Sequence, residues 1–189
     1  MVNFLAQLAH VVLPSTFVLY ASYRYGWDAT TVGLTLAMVG ICSMAVQGAA
    51  IGPIVRRLGE RRALLLGLGC GAAGFLIYGA APSGPLFWIG IPVMALWGVA
   101  GAATQALMTQ LVAPEQQGQL QGATSSVQSV SQLVGPFLFT LTFAYFIGAQ
   151  APLQLPGAPF LLALALLVLA LVIAARTLAM ARVGSGLDS

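Results

Sequence analysis

VRRLGERR, residues 55–62, is the stretch on which the fold reading turns. The chain has 189 residues and 7 basic side chains, all arginine, and Arg56, Arg57, Arg61 and Arg62 crowd into this one place. Apolar sequence flanks it on both sides: MAVQGAAIGPI runs up to it and ALLLGLGCGAAGFL leads away. A dense cationic knot inside greasy sequence marks a place where the chain meets water.

Composition identifies the solvent for the rest. The chain is 59% hydrophobic and 6% charged, with a mean hydropathy of +0.95. A soluble domain carries about 25% charged residues. A soluble fold of this length needs a charged surface that this sequence does not hold, so an integral membrane protein in contact with lipid is expected. The formal net charge of +3 comes from a few arginines set against fewer acids, and it gives no reason to expect nucleic acid as a partner. Cys42 and Cys70 lie within apolar runs and read as small packing residues. No metal site or cofactor is expected. The N-terminal apolar run lacks a positive flank and continues past Pro14 to Tyr20, unlike a cleavable signal peptide.

A bilayer-spanning helix needs about 20 mostly apolar residues. Six stretches qualify: about 2–21, 30–55, 62–81, 86–111, 121–147 and 159–180. The expectation is an all-α membrane domain over 1–180, with a short cytoplasmic tail at 181–189. The breaks carry glycine, proline or charge, as breakers should: residues 25–28, the arginine knot, 81–85, 113–118 and 150–157. Asp28 or Thr30 is placed to cap the second helix. Cytoplasmic loops hold the excess of Arg and Lys. Six spans put Arg56, Arg57, Arg61, Arg62, Arg176 and Arg182 on one side and leave Arg24 alone on the other. Both termini are therefore expected in the cytoplasm. The first helix begins almost at Met1 with no flank before it, so the chain reads as the continuation of something longer.

Polar side chains inside a span are costly and usually face a bundle interior or a wet cavity. In the first span Asn3, Gln7, His10 and Pro14 share one helical face. In the fifth, Gln121, Ser125, Gln128, Gln132 and Gly135 do the same. Ser43 and Gln47 lie one turn apart in the second span, and Gln105 stands alone in the fourth. The functional reading is a polar path lined by these four spans; the alternative is hydrogen bonding that glues helices together. The length of the fifth-span stripe favours a cavity, whereas His10, Gln47 and Gln105 suit either reading. Gly67, Gly71 and Gly74 share a face of the third span and, with Gly98 and Gly101, read as close packing. Pro136, beside Gly135, removes a helical hydrogen bond and predicts a kink or hinge. No Asp, Glu or Lys falls in any span. A proton carrier in the membrane would then be His10 or would belong to another chain. No catalytic group is recognised: a Ser–His dyad within the bilayer has no serine set for it, and no phosphate-binding glycine loop with lysine is present.

GPIVRRLGERR, residues 52–62, resembles the loop motif G-x-L-x-D-R-x-G-R-R between the second and third helices of each half of major facilitator superfamily transporters. Gly52, Arg57, Gly59, Arg61 and Arg62 match it, and Arg56 stands where the motif has Asp. The resemblance implies a tight turn whose charges latch neighbouring helices. Further stretches, FLAQLAH (4–10) with Pro14, YRYGW (23–27), VGLTLA (32–37) with Gln47, ALM (106–108), QGQLQG (117–122) and GPFLFT (135–140), are similar in order to helices seven to eleven of the tetracycline-resistance branch of drug:proton antiporters. The fold implied is six transmembrane helices forming the C-terminal half of such a transporter, in a bacterial inner membrane. That branch carries a His four residues before the glutamine matched by Gln47, and an Asp in helix nine. Here these positions are Ser43 and Gly71.

The resemblance implies a transport module and no enzyme. It would be completed by a separate N-terminal six-helix half or by a second copy of itself, and would work by alternating access on an amphipathic small molecule. Gln7, His10, Gln47, Gln105, Gln128 and Gln132 are the expected cavity residues, orienting the substrate by hydrogen bonds. The alternative is a truncated fragment that keeps the fold and transports nothing.

Overall fold

The structure, a computed structural model, describes residues 1–148, 151 and 153–185. Every regular element among them is helical. The first crossing is α1 (Val2–His10) and α2 (Val12–Tyr25), with Val11 between them. Next come α3 (Ala29–Ala45), a π-turn (Val46–Ala50) and α4 (Ile51–Ala80). Another crossing is α5 (Gly84–Ala95) with α6 (Gly98–Gln110). A short 3-10 turn (Pro114–Gln116) leads into α7 (Gln117–Ile147), and α8 (Ala158–Ser185) closes the order. Residues 181–185 of the expected tail thus continue α8, while 186–189 lie outside the described residues. So do Gln150 and Pro152 of the expected last break.

Among the described residues, 5 helical runs are long and apolar enough to cross a membrane, and one of them, Ala29–Ala80, has 52 residues. Straight, that run would be roughly 78 Å long, against a hydrocarbon core of about 30 Å. It accounts for two crossings, which makes six. Gly59 divides it, with φ 74° and ψ 160°, a region essentially reserved for glycine. The arginine knot is therefore a single-residue break rather than a loop: Arg56 and Arg57 end one helix, and Arg61 and Arg62 begin the next. All four arginines are exposed. Glu60, between them, accepts a hydrogen bond from Gln110 Nε2 at 2.8 Å. Four charges cannot stay in hydrocarbon, so the chain turns where they reach water.

After Gly59, α4 runs through the middle of the bundle and packs on α8, α6 and α5. Its glycine face makes this possible. A Cβ on Gly71 would lie 2.8 Å from Trp97 Cγ, and one on Gly74 3.1 Å from Met94 Cα, while Gly67 abuts the backbone of Ala100. α1 packs on α8 and α7, α2 on α7, and α3 on α5. By contrast, α3 buries only Val32 and Thr35, and α7 only Ser131, Gly135, Phe139 and Phe143. The α7 set recurs every four residues, one stripe on one face. Gly135 seats against Val11, and α7 continues as helix through Pro136.

Where α2 and α4 end and α5 begins, side chains cap the last carbonyls of α4. Tyr20 Oη donates to the Tyr78 carbonyl at 2.8 Å, and Tyr25 Oη and Arg24 Nε both donate to that of Ala81 at 2.9 Å. These are the acceptors that a helix end leaves without partners. Tyr78 stacks on Phe87 with ring centroids 4.1 Å apart. Such Tyr- and Trp-rich ends suit the membrane–water interface. Asp28 caps α3, its Oδ1 accepting from Thr31 N at 2.9 Å. Hydrogen bonds from the Thr31 side chain and from its backbone N–H hold the carboxyl below the usual aspartate range.

Candidate functional site

Between α1, α2, α3, the π-turn and α5–α6 lies a cavity of about 620 Å³, within the range of small-molecule sites. The backbone explains its position, because three helix irregularities meet there. Pro14 has no N–H to donate to the carbonyl of His10 four residues back, and the helix breaks at Val11, whose N–H bonds the Leu8 carbonyl instead at 3.2 Å. At the α5–α6 junction Trp97 N bonds Met94 O at 3.0 Å and Ala100 N bonds Trp97 O at 2.8 Å. These are tightened, three-residue bonds. The third is the π-turn that carries Gln47, and such turns recur at functional sites. Irregular backbone at membrane depth is tolerated where it is buried or lines a cavity. His10, Gln47 and Trp97 each sit at one of these irregularities, and each faces the cavity.

The first-span face arrives whole: Asn3, Gln7, His10 and Pro14 all line the cavity. Ser43 and Gln47 join them from the α3 side, and Thr104 from α6. The walls are apolar and aromatic, with Phe17, Tyr78, Phe87, Met94 and Trp97 among them. His10 ends α1 and is exposed to this space. Its ring lies against the indole of Trp97, centroids 5.3 Å apart and planes inclined at 51°. Trp97 in turn meets Phe75 at 5.4 Å.

The other expected residues stand elsewhere. Gln105 is half-buried on α6 and does not line the cavity, although Gly101 and Thr104 do. Gln128 and Gln132 are exposed on α7, together with Gln121 and Ser125, and α7 contributes nothing to the cavity wall. The burial pattern of α7 explains this. Its face towards the bundle carries Ser131, Gly135, Phe139 and Phe143, and the glutamines occupy another face. Gly98 and Gly101, expected to pack, open onto the cavity instead. Ser43 faces it, whereas Gly71 is filled over by the indole of Trp97 and the side chain of Leu167.

Sequence reasoning missed Trp97, Tyr78 and Thr104. Trp97 had a readable signal: a tryptophan in the middle of a span, followed at once by Gly98. Tyr78 and Thr104 had none, since each looks like an ordinary residue of its helix.

Residues 1–184 match the model of the Major Facilitator Superfamily. The chain is 33% identical over 146 residues to "Tetracycline resistance protein, class C" of Escherichia coli, a match covering 76% of this chain and 36% of that protein. It is 35% identical over 151 residues to the class G protein of Vibrio anguillarum, covering 78% of this chain and 38% of the relative. A match of 28% over 185 residues, 90% of this chain and 37% of the relative, is to "Hippocampus abundant transcript-like protein 1" of Homo sapiens. The chain spans little more than a third of the length of these relatives.

Proposed function

This chain belongs to the major facilitator superfamily, and from that membership we propose that it forms one side of a transport pathway for an amphipathic small molecule. The observation that carries the reading is the convergence of Asn3, Gln7, His10, Ser43 and Gln47 on one cavity at membrane depth. The amides and the imidazole orient a substrate by hydrogen bonds, and the aromatic walls take its apolar body.

The pathway is completed by a second six-helix unit, an N-terminal half or another copy of this chain. Exposed Gln128 and Gln132 on α7 support this. An amide left in hydrocarbon without a partner costs several kcal/mol, on the order of 4–8 by transfer to cyclohexane. A unit laid against α3 and α7 removes that cost. Rocking of the two units about the cavity then gives alternating access. Drug efflux is the activity carried over from the tetracycline-resistance relatives. Tetracycline itself is not, because Ser43 and Gly71 replace the ionisable residues that the resemblance associates with that branch. The membrane proposed is a bacterial inner membrane, with the arginine knot and both termini in the cytoplasm.

The test replaces Cys42 and Cys70 by Ala and introduces cysteine singly at Gln7, Gln47 and Gln128 in the assembled protein. A membrane-impermeant maleimide labels all three positions, and a transported dye protects at least Gln7 and Gln47. Labelling at none of them contradicts the proposal.

A further inference from the structure

We propose that the cavity selects neutral and anionic amphiphiles over cationic ones, with His10 as the residue that sets its charge. The inference rests on reading this cavity as the substrate site and adds the class of substrate.

The charge inventory is short. Among the described residues the acidic side chains are Asp28, Glu60 and Glu115, and none of them lines the cavity. Arg24, Arg56, Arg57, Arg61, Arg62 and Arg176, the arginines whose side chains are described, do not line it either. The remaining faces add nothing that titrates near neutrality. α3 presents Ser43, with the half-buried Cys42 off the wall, and α6 presents Thr104. α4 presents the phenol of Tyr78, which ionises only in the alkaline range, with Cys70 off the wall. α7, packed on α1, holds Tyr145 as its one titratable side chain, and α2 holds Tyr20, Tyr23, Arg24 and Tyr25 away from the cavity. α8 carries Arg176 towards its far end. Among the described side chains that line the cavity, His10 alone can take a charge in the physiological range.

Two features of its setting favour a cation. It stands in the last turn of α1, where the helix dipole favours positive charge. The ring centroids of His10 and Trp97 lie 5.3 Å apart, within the distance at which an indole attracts a cation. A protonated His10 draws an anionic headgroup into a pocket of low dielectric and repels a quaternary ammonium. A neutral His10 leaves the pocket open to uncharged ligands, while a cation still meets no carboxylate. Anion binding therefore tightens as pH falls through the imidazole range.

The test uses the full chain in nanodiscs of zwitterionic lipid and three probes on one ring system. These are anilinonaphthalene sulfonate, the neutral phenylnaphthylamine and a trimethylammonium counterpart. Binding is read as energy transfer from tryptophan, with Trp97→Phe reporting the share that arises at the site. Between about pH 8 and pH 5 the anionic probe gains about tenfold in affinity relative to the neutral one, and the cationic probe binds weakest at both. In His10→Gln that ratio no longer moves with pH, and in His10→Lys the anion preference is fixed at both values. Circular dichroism and melting establish that each variant is folded. Preference for the cation, or a pH response that survives in His10→Gln, overturns the inference and leaves the cavity standing. Absence of binding by all three probes overturns the cavity reading as well.

Discussion

Gly59 carries the most structural consequence of any single residue. Its backbone lies at φ 74°, ψ 160°, yet a Cβ there would touch nothing within 4 Å. The cost of any other residue is therefore conformational rather than steric. Gly59→Ala should lower stability by about 1–3 kcal/mol, read as thermal melting in detergent. Gly52→Ala should be neutral or mildly stabilising, because Gly52 is helical and open and alanine suits a helix better. Asp28 belongs to the same scale. Hydrogen bonds from the Thr31 side chain and backbone N–H depress the carboxyl pKa in the folded chain. The stabilisation is present above the unfolded value and is lost as pH falls through the folded one. The melting advantage of the wild type over Asp28→Ala should thus shrink as pH drops below the ordinary aspartate range. Both positions were legible in the sequence, Asp28 as a cap and Gly59 as a turn. What the sequence hid was the shortness of the turn, one residue where the charge spacing suggested a loop.

At the scale of the element, the cavity is a product of broken helices. α1–α2, α5–α6 and the π-turn each depart from regular geometry, and each departure brings a side chain to the same space. The periodicity of Asn3, Gln7, His10 and Pro14 made one wall readable, since a polar face on an apolar helix has few places to go. The same logic read the α7 stripe as cavity-lining, but a stripe does not say which neighbour it faces. In the structure Gln128 and Gln132 face away from this bundle. The glycine faces divide by the same kind of local fact. Gly71 is covered by Trp97 and Leu167, whereas nothing lies within 4 Å of a Cβ on Gly98. Gly71→Leu should cost about 1–3 kcal/mol by overpacking and displace the indole from the cavity wall. Gly98→Ala should melt with the wild type. Tryptophan fluorescence alongside melting distinguishes the two.

For the whole molecule, the count of six crossings and the superfamily membership were both legible, the first from hydropathy and the second from the arginine knot and the ordered stretches around it. Lateral packing was not. No spacing rule announces that α4 takes the centre, that α2 caps its carbonyls through Tyr20, Arg24 and Tyr25, or that α3 and α7 keep most of their surface bare. These follow from long-range contacts between elements that are individually featureless in sequence. The bare faces matter most for function. Exposed Leu133, Phe137 and Leu141 on α7 are at home in lipid, but Gln121, Ser125, Gln128 and Gln132 on the same helix are not. On the proposed function, a second six-helix unit against this side would resolve the mismatch and enclose the pathway.

The measurement that tests this most directly is native mass spectrometry of the protein released gently from its own membrane. The account predicts particles that hold two six-helix units. They would be two chains of 19.5 kDa, one chain with a partner of similar size, or one longer polypeptide that contains this sequence. Particles that hold this six-helix unit alone, at concentrations matching the membrane, would contradict it.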